Sequence, residues 1–390
     1  MTVSRRNFLQ TAAIGTGLLV SARARAQRTP LAPPDKQSAD AKLPEVVKRK
    51  LGVAVVGLGK LALEEVMPAF GECTHAQPVA LVSGHPDKAK RVAAAYDIPA
   101  NAIYDYAGFD KIANDPKIDA VYIILPNNMH AEFTIRALQA GKHVLCEKPM
   151  ATSVAEGEKM IAAANAAKRQ LAIAYRLQYE PTHLRAIEAC RSKELGALKL
   201  IRATNCQDTR PPNIRLSKAL GGGPVQDVGI YCINAARYLP GEMPIVVTAM
   251  EHRSKEARFA EVPESVVFTL RFPSGVLAHA SCSFGTVESR YCEVIGSSGA
   301  LAIENAFAYR GLEMKIRKAG KPGGSPREVI EPKIEEKNQF ALELDGFAKA
   351  VLDNKPVKTP GSDGLADLRV IAAIEEAARS GCTVKLADRR

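Results

Sequence analysis

Apolar runs and amphipathic stretches alternate along the first half of the chain. Continuous apolar strands are predicted at residues 51–56, 79–82, 102–104, 120–125, 142–146 and 171–175. Amphipathic helices are predicted between them, over 87–96, 130–141 and 153–168. Buried strands that alternate with helices indicate parallel βαβ units in a doubly wound α/β sheet, which we place in a domain spanning residues 50–175.

After residue 176 the apolar positions follow a period of two instead. Strands are predicted at 197–207, 245–252, 265–272, 275–284, 290–295 and 301–304, with helices at 225–239, 336–353 and 362–380. Alternation of this kind is typical of an antiparallel sheet with one covered face. We therefore expect a second α+β domain over 176–390, built on a large, mainly antiparallel open sheet whose last helices can pack on the first domain.

The N-terminus has the features of an export signal. Arg5 and Arg6 precede an apolar stretch that is too short to span a bilayer, and Ala24-Arg25-Ala26 supplies small residues for cleavage. Residues 1–26 are therefore predicted to be a twin-arginine signal peptide, recognised by the Tat machinery and cleaved near Ala26. The mature protein would be periplasmic and without a stable membrane anchor. The proline-rich segment 27–49 predicts an extended arm, on its own domain or on a neighbouring subunit.

Composition narrows the possible partners. The chain is 46% hydrophobic and 24% charged, which suits globular domains. The net charge of +11 falls to +7 without the predicted signal peptide, and the basic residues are scattered, so no nucleic-acid partner is predicted. The eight cysteines form no metal-binding pattern, so we expect no metal site. Cys282 and Cys292, which could face each other across a hairpin, are the one candidate disulfide.

The first strand leads into a glycine turn, Gly57-Leu58-Gly59-Lys60-Leu61-Ala62. A Gly-x-Gly-x-x-Ala element between a strand and a helix presents backbone N–H groups to a pyrophosphate. Gly57 allows the tight turn and Gly59 allows close approach of the phosphates. This element predicts a dinucleotide-binding Rossmann domain.

The end of the second strand favours NADP over NAD. A preference for NAD usually places an acidic residue there to bind the ribose 2′-hydroxyl. Here the strand ends in Ser83 and Gly84, and Lys88 begins the next helix, where it can meet a 2′-phosphate. Lys60 adds positive charge beside the phosphates, although a lysine of this kind can also be an ordinary surface charge.

Two further strand ends complete the predicted cofactor site. Pro126, Asn127 and His130 follow the fourth strand and are assigned to the nicotinamide half, with a structural role for His130 as the alternative. The fifth strand ends in Glu147-Lys148-Pro149, which is either a solvated ion pair or a group placed for chemistry at the sheet edge.

A polar stripe follows three consecutive glycines in the second domain. Asp227, Tyr231 and Asn234 have the spacing that places them on one helix face. Buried polar groups on an apolar helix are costly unless they have partners, so this face either contacts a ligand or bonds neighbouring backbone.

These motifs together resemble the glucose–fructose oxidoreductase, inositol dehydrogenase and rhizopine catabolism (Gfo/Idh/MocA) family, over about residues 50–385. The exported glucose–fructose oxidoreductase branch is the most similar, because of the leader, the proline-rich arm and the Ser83-Gly84 pair in place of an acidic residue. Tyr231, where many relatives have histidine, also matches this branch. The resemblance implies that Tyr231 is the general acid/base, that Lys148 is its electrostatic partner and that Asp227 orients a sugar. Candidate sugar contacts are Arg176, Tyr179 and Arg215.

The resulting hypothesis is an exported NADP-dependent sugar oxidoreductase that transfers hydride between an aldose and tightly bound NADP. A second sugar, in a glucose–fructose or aldose–aldose reaction, would regenerate the cofactor. Tyrosine ordinarily ionises near pH 10, so base chemistry at neutral pH needs a nearby cation such as Lys148. The alternatives are a dehydrogenase with exchangeable NAD(P), an NAD-dependent glycosidase on the same fold, and a non-catalytic sugar- or nucleotide-binding protein. An exposed sheet face predicts a homodimer or homotetramer.

Overall fold

A computed structural model describes residues 49–386. The predicted signal peptide and nearly all of the predicted arm lie outside the described residues. Within residues 49–386, no helix combines the length and the apolar character needed to cross a membrane.

The first sheet has six parallel strands in the order β3-β2-β1-β4-β5-β6. The strands are β1 (Leu51–Val56), β2 (Ala76–Val82), β3 (Ile103–Tyr104), β4 (Ala120–Ile123), β5 (His143–Glu147) and β6 (Leu171–Ala174). This is the strand order of a Rossmann fold, as predicted, and the order reverses between β1 and β4. Ligands of such sheets bind outside the carboxyl ends of the strands at that reversal, so the topology positions the site.

The α-helices of the described residues pack on the sheets, on one another or on short helical turns. They are α1 (Met67–Ala69), α2 (Pro86–Ala95), α3 (His130–Gln139), α4 (Val154–Ala167), α5 (Pro181–Arg191), α6 (Ile230–Tyr238), α7 (Gln339–Leu352) and α8 (Gly361–Ser380). A π-helical turn, Ala62–Val66, leads into α1. Although α7 and α8 come last in the chain, they pack on the first sheet and its helices. Asp345 of α7, for example, accepts hydrogen bonds from the backbone N–H groups of Thr74 and His75.

The second sheet has nine strands in the order β14-β13-β12-β11-β7-β10-β9-β8-β15. They are β7 (Leu198–Asp208), β8 (Val246–His252), β9 (Ser265–Arg271), β10 (Leu277–Ser283), β11 (Gly285–Gly296), β12 (Gly299–Glu304), β13 (Glu313–Ala319), β14 (Pro326–Ile330) and β15 (Val384–Lys385). Every pairing is antiparallel except that of β7 with β10. The predicted mainly antiparallel open sheet is therefore confirmed, and β13, β14, β15 and α5 are additions to the predicted elements.

The two faces of this sheet differ in burial. Inward side chains such as Phe268, Leu270 and Val294 are buried beneath the helices. On the other face, Met250 is 73% exposed and pairs across the strands with Val267, which is 49% exposed. The predicted exposed sheet face is present.

The candidate disulfide is wrong. Cys282 lies on β10 opposite Asn205 of β7, and Cys292 lies on β11 opposite Ala203 of the same strand. Because β7 separates them by two strand spacings, roughly 9–10 Å, a disulfide cannot span the gap. Both cysteines are free and buried.

Candidate active site

The predicted catalytic residues meet at the carboxyl edge of the first sheet. Strand β5 ends at Glu147, and the following Lys148–Pro149 peptide bond is cis. The Lys148 ammonium donates a 2.8 Å hydrogen bond to the backbone carbonyl of Asp227 and lies 3.6 Å from its carboxylate. The same ammonium lies 4.4 Å from the centre of the Tyr231 ring. The sheet edge thus brings Lys148, Asp227 and Tyr231 together.

The helix that carries Asp227 and Tyr231 is anchored through its third polar residue. Asp227 belongs to a π-helical turn, Val225–Gly229, and Tyr231 to the first turn of α6. The buried Asn234 amide accepts from Gln178 and donates to Asp367. The polar stripe therefore has partners along its length: Asn234 fixes the helix, and Asp227 and Tyr231 face Lys148.

Two cations hold Asp227 ionised. Its second carboxylate oxygen lies 2.7 Å from the Arg215 Nε. Burial alone would raise the pKa of Asp227, but the charges of Arg215 and Lys148 outweigh it and the pKa lies below its ordinary value. Arg215, predicted to contact the sugar, is thus joined to the site through Asp227.

Arg176 supplies a second cation behind Tyr231. It is only 3% exposed, and its guanidinium donates to the backbone carbonyls of Phe307 and Ala308. The guanidinium carbon lies 4.9 Å from the centre of the Tyr231 ring. The Arg176 Nε is buried without a hydrogen-bond partner. A direct contact between Arg176 and a sugar stays a prediction, whereas its contact with Tyr231 is part of the structure.

The structure adds Tyr309 to the site, which the sequence did not reveal. Its ring lies 4.6 Å from the Arg176 guanidinium, so Arg176 contacts both tyrosine rings. Burial, followed by the proximity of Tyr231, raises the pKa of Tyr309 despite the charge of Arg176. Tyr309 lies in the irregular segment after β12, where no strand or helix period marks its position.

Tyr179 lies apart from this cluster. Its ring packs against Gly346 of α7 and under the Lys358 ammonium, which is 5.1 Å from the ring centre. These contacts place Tyr179 in the packing between the first sheet and α7. Its predicted contact with a sugar has no support in the geometry.

The glycine turn has room for a pyrophosphate. Gly57 has φ +93°, and a Cβ there would lie 2.2 Å from the carbonyl oxygen of Ile124. At Gly59, by contrast, a Cβ would have no protein atom within 4 Å. Gly57 is therefore required by the fold, whereas Gly59 leaves open the space in front of the turn where the sequence places a dinucleotide.

These two glycines give a matched test of the dinucleotide site. Gly59→Ala should fold normally and lose at least about tenfold in affinity for NADP, because its methyl group projects into the phosphate space. Gly57→Ala should instead lower the free energy of unfolding by at least about 1–3 kcal/mol, because its backbone conformation is strained for alanine. Thermal unfolding and cofactor titration separate the two effects. Normal cofactor binding by Gly59→Ala would place the dinucleotide elsewhere.

Three side chains lie around this turn: Ser83 and Lys88 follow β2, and Lys60 belongs to the turn itself. The Lys88 ammonium donates to the backbone carbonyl of Leu58 at 3.2 Å, so it spans the glycine turn. The buried Ser83 hydroxyl accepts from the His85 backbone N–H, next to the exposed Gly84. Lys60 is largely exposed and forms an ion pair of 3.7 Å with Glu64. Lys88 thus contacts the glycine turn directly, while Lys60 and Leu61 lie at the start of the helix that follows the turn.

The residues after β4 divide into two groups. Pro126 and Asn127 are half-buried, and the Asn127 amide donates to the Gly221 carbonyl at 2.8 Å. His130 has no exposed surface, and its two ring nitrogens face the carbonyls of Leu125 and Pro149. Both ring nitrogens of His130 are therefore engaged by backbone carbonyls. It ties the loop after β4 to the loop that carries Lys148.

The three glycines before the catalytic helix allow two close approaches. A Cβ at Gly221 would lie 2.7 Å from side-chain carbons of Asn127 and Thr152, both in the first domain. A Cβ at Gly222 would lie 2.3 Å from the Arg215 carbonyl oxygen. The glycines let the loop that carries Arg215 fold tightly on itself while it contacts the first domain.

A Rossmann sheet with a lysine and a tyrosine paired at its carboxyl edge defines a nicotinamide-dependent oxidoreductase. Residues 51–175 match the oxidoreductase family with an NAD-binding Rossmann fold (GFO/IDH/MocA), and residues 183–302 match the C-terminal domain of the same family. The chain belongs to the GFO/IDH/MocA family.

Three proteins that are similar to this chain differ in their activities. The aldose-aldose oxidoreductase of Caulobacter crescentus is 43% identical, with a TM-score of 0.82, over 87% of this chain and 100% of that one. The NADP(+)-linked D-xylose 1-dehydrogenase of Haloarcula marismortui is 30% identical over 85% of this chain and 92% of its own. The 1,5-anhydro-D-fructose reductase of Ensifer adhaerens is 26% identical over 84% and 96%.

Proposed function

We propose that this protein is an exported, NADP-dependent sugar oxidoreductase that oxidises an aldose at its CH–OH group. The observation that carries the proposal is the contact of the Lys148 ammonium with both Asp227 and the Tyr231 ring. The activities of the aldose-aldose oxidoreductase and the D-xylose dehydrogenase support a sugar as substrate.

The chain's own residues supply the proton chemistry. Tyr231 accepts the proton of the sugar hydroxyl, and the ammonium of Lys148 stabilises the phenolate needed for this step. The ionised Asp227 is positioned to accept a hydrogen bond from another sugar hydroxyl, with Arg215 holding its second oxygen. When bound, the nicotinamide supplies a hydride acceptor for the oxidation and a hydride donor for the reverse reaction.

NADP and its tight retention are also part of the proposal. The tip of β2 lacks an acidic residue, and Lys88 lies across the glycine turn, which favours a 2′-phosphate. The Arg5-Arg6 leader supports export in folded form, and a periplasmic enzyme needs a cofactor that it carries with it. A second aldose or a ketose would then regenerate the cofactor in place.

Purification without added cofactor tests this function. We expect the full-length protein to release NADP on denaturation, and the folded protein to show reduced-nicotinamide absorbance when an aldose is added. Turnover only with added NADP would identify a dehydrogenase with exchangeable cofactor instead. Release of aglycone from an aryl glycoside would identify a glycosidase, and no reaction with any sugar would leave a binding protein.

Assembly into a homodimer or homotetramer through the exposed sheet face is part of the same proposal. Leu277 and Leu200 are 42% and 44% exposed and lie opposite each other on β10 and β7. Met250 and Val267 form a second exposed apolar pair on β8 and β9, where Val267 lies opposite Ser281 of β10. Light scattering measures the mass in solution, and a monomer that persists at high concentration would contradict the assembly.

A further inference from the structure

Three buried polar side chains are connected by hydrogen-bond contacts beneath the cluster of Lys148, Asp227 and Tyr231. They are Glu343 of α7, Tyr122 of β4 and Glu147 of β5, which are 1%, 0% and 8% exposed. The Tyr122 hydroxyl lies 2.8 Å from Glu147 Oε1 and 3.5 Å from Glu343 Oε2. Glu147 immediately precedes Lys148, so this series of hydrogen-bonded side chains leads to the catalytic lysine.

The number of available protons determines which group donates in each of these hydrogen bonds. The Tyr122 hydroxyl has one proton, and the shorter contact shows that it donates to Glu147. Glu147 Oε2 accepts the backbone N–H of Lys148 at 3.2 Å, so both of its oxygens have a donor. Glu343 Oε1, by contrast, is buried without a partner. An ionised carboxylate in that position would be costly, whereas a protonated Glu343 can donate to the Tyr122 oxygen.

The surrounding charges agree with this assignment. Burial, followed by the charge of Glu147, holds the pKa of Glu343 well above its usual range, against the opposing effects of Arg176 and Tyr122. Burial also raises the pKa of Glu147, but Lys148 and Tyr122 oppose it. The titratable groups facing Glu343 are thus Tyr122, Glu147 and Arg176, with Tyr179 also within electrostatic range.

We infer that Glu343 is a positioning residue of the active site, which acts by remaining a neutral acid below Tyr122. Its neutrality leaves the cations Lys148, Arg176 and Arg215 opposed by only the anions Glu147 and Asp227. The excess positive charge favours the phenolate form of Tyr231 that sugar oxidation requires. This role rests on the proposed function, but the protonation of Glu343 does not.

The protonation is tested by the pH dependence of folding. A folded protein that keeps a proton lost by the unfolded chain becomes less stable as pH rises between the two pKa values. Over that window the wild-type unfolding constant should rise tenfold per pH unit relative to that of Glu343→Gln, which has no proton to lose. Glu158→Gln, at an exposed position of α4, should follow the wild type. Parallel curves for wild type and Glu343→Gln would overturn the inference.

The catalytic role is tested by the pH profile of aldose oxidation. As Glu343 ionises at alkaline pH, kcat/KM of the wild type should decline, and Glu343→Gln should abolish this decline. A variant rate lowered by the same factor at every pH would indicate packing alone and overturn the role. Tyr122→Phe, which breaks the link to Glu147, should also change the shape of the profile. If the wild type oxidises no sugar, the proposed function fails, and the folding measurement still decides the protonation of Glu343.

Discussion

Tyr231→Phe is expected to lower kcat for aldose oxidation by about a hundred- to ten-thousand-fold, the usual contribution of a general acid/base. The substitution removes only the hydroxyl group. The ring should keep its contacts with Lys148, Arg176 and Phe307, whose ring centre is 6.0 Å away. The fold, the affinity for NADP and the KM for the sugar should therefore change little. Steady-state kinetics, cofactor titration and thermal unfolding measure these quantities.

Tyr96→Phe provides the control for this experiment. Tyr96 is a half-buried tyrosine that follows α2 in the first domain, away from the catalytic cluster. It should retain wild-type turnover. Full activity in Tyr231→Phe would remove Tyr231 from the mechanism. The first alternative would then be Tyr309, which shares the Arg176 guanidinium.

Lys148→Met should slow aldose oxidation at neutral pH and move the pH–rate profile to higher pH, because it removes the ammonium that lies 4.4 Å from the centre of the Tyr231 ring. The direction of this change in the pH–rate profile follows from the charge of the lysine. A cation next to the phenolate favours ionisation of tyrosine, so its removal means that a higher pH is needed to reach the same fraction of phenolate. At neutral pH the rate should fall by about tenfold to a thousandfold. Asp227 would keep Arg215 as a partner, which limits the effect on stability.

Lys148→Arg and Lys90→Met separate charge from position. The arginine keeps the charge, so its profile should lie nearer to the wild-type pH range even if its geometry lowers the rate. Lys90 is an exposed lysine of α2, and its substitution should leave the profile unchanged. An unshifted profile in Lys148→Met would mean that Lys148 has a role other than stabilising the phenolate.

The first sheet could be predicted closely because its strands are continuous apolar runs between helices. Strand β1 has the predicted bounds, and the other five differ by a few residues at their ends. The second sheet was harder to predict. In β13 only Met314 and Ile316 are buried, so its period-two pattern is short, and β15 has only two residues. The helix α5 has polar residues on its buried side, including Thr182 and His183, which hides its apolar period.

Some residues of the candidate active site could be predicted from the sequence and others could not. Lys148, Asp227 and Tyr231 could be found because each belongs to a motif next to a strand or helix end. Tyr309 and Glu343 lie in segments without such motifs, and they reach the site only through packing between distant parts of the chain. Arg176 could be recognised as a candidate cation, but its burial under two tyrosine rings could not. His130 follows a strand end as a ligand-binding residue would, yet both of its ring nitrogens face backbone carbonyls.

The unequal faces of the nine-stranded sheet have a consequence for how the protein can change. On β10, Cys282 is buried close to Gly229 in the turn that carries Asp227, whereas Leu277 on the same strand is 42% exposed. Side chains at neighbouring positions of one strand point to opposite faces. One side chain therefore has to fit the packing under the helices, whereas the next has only to suit the outer surface. Substitutions at every second position can therefore alter the outer surface without disturbing the catalytic helix. Evolution or design can vary the two faces independently within a single strand.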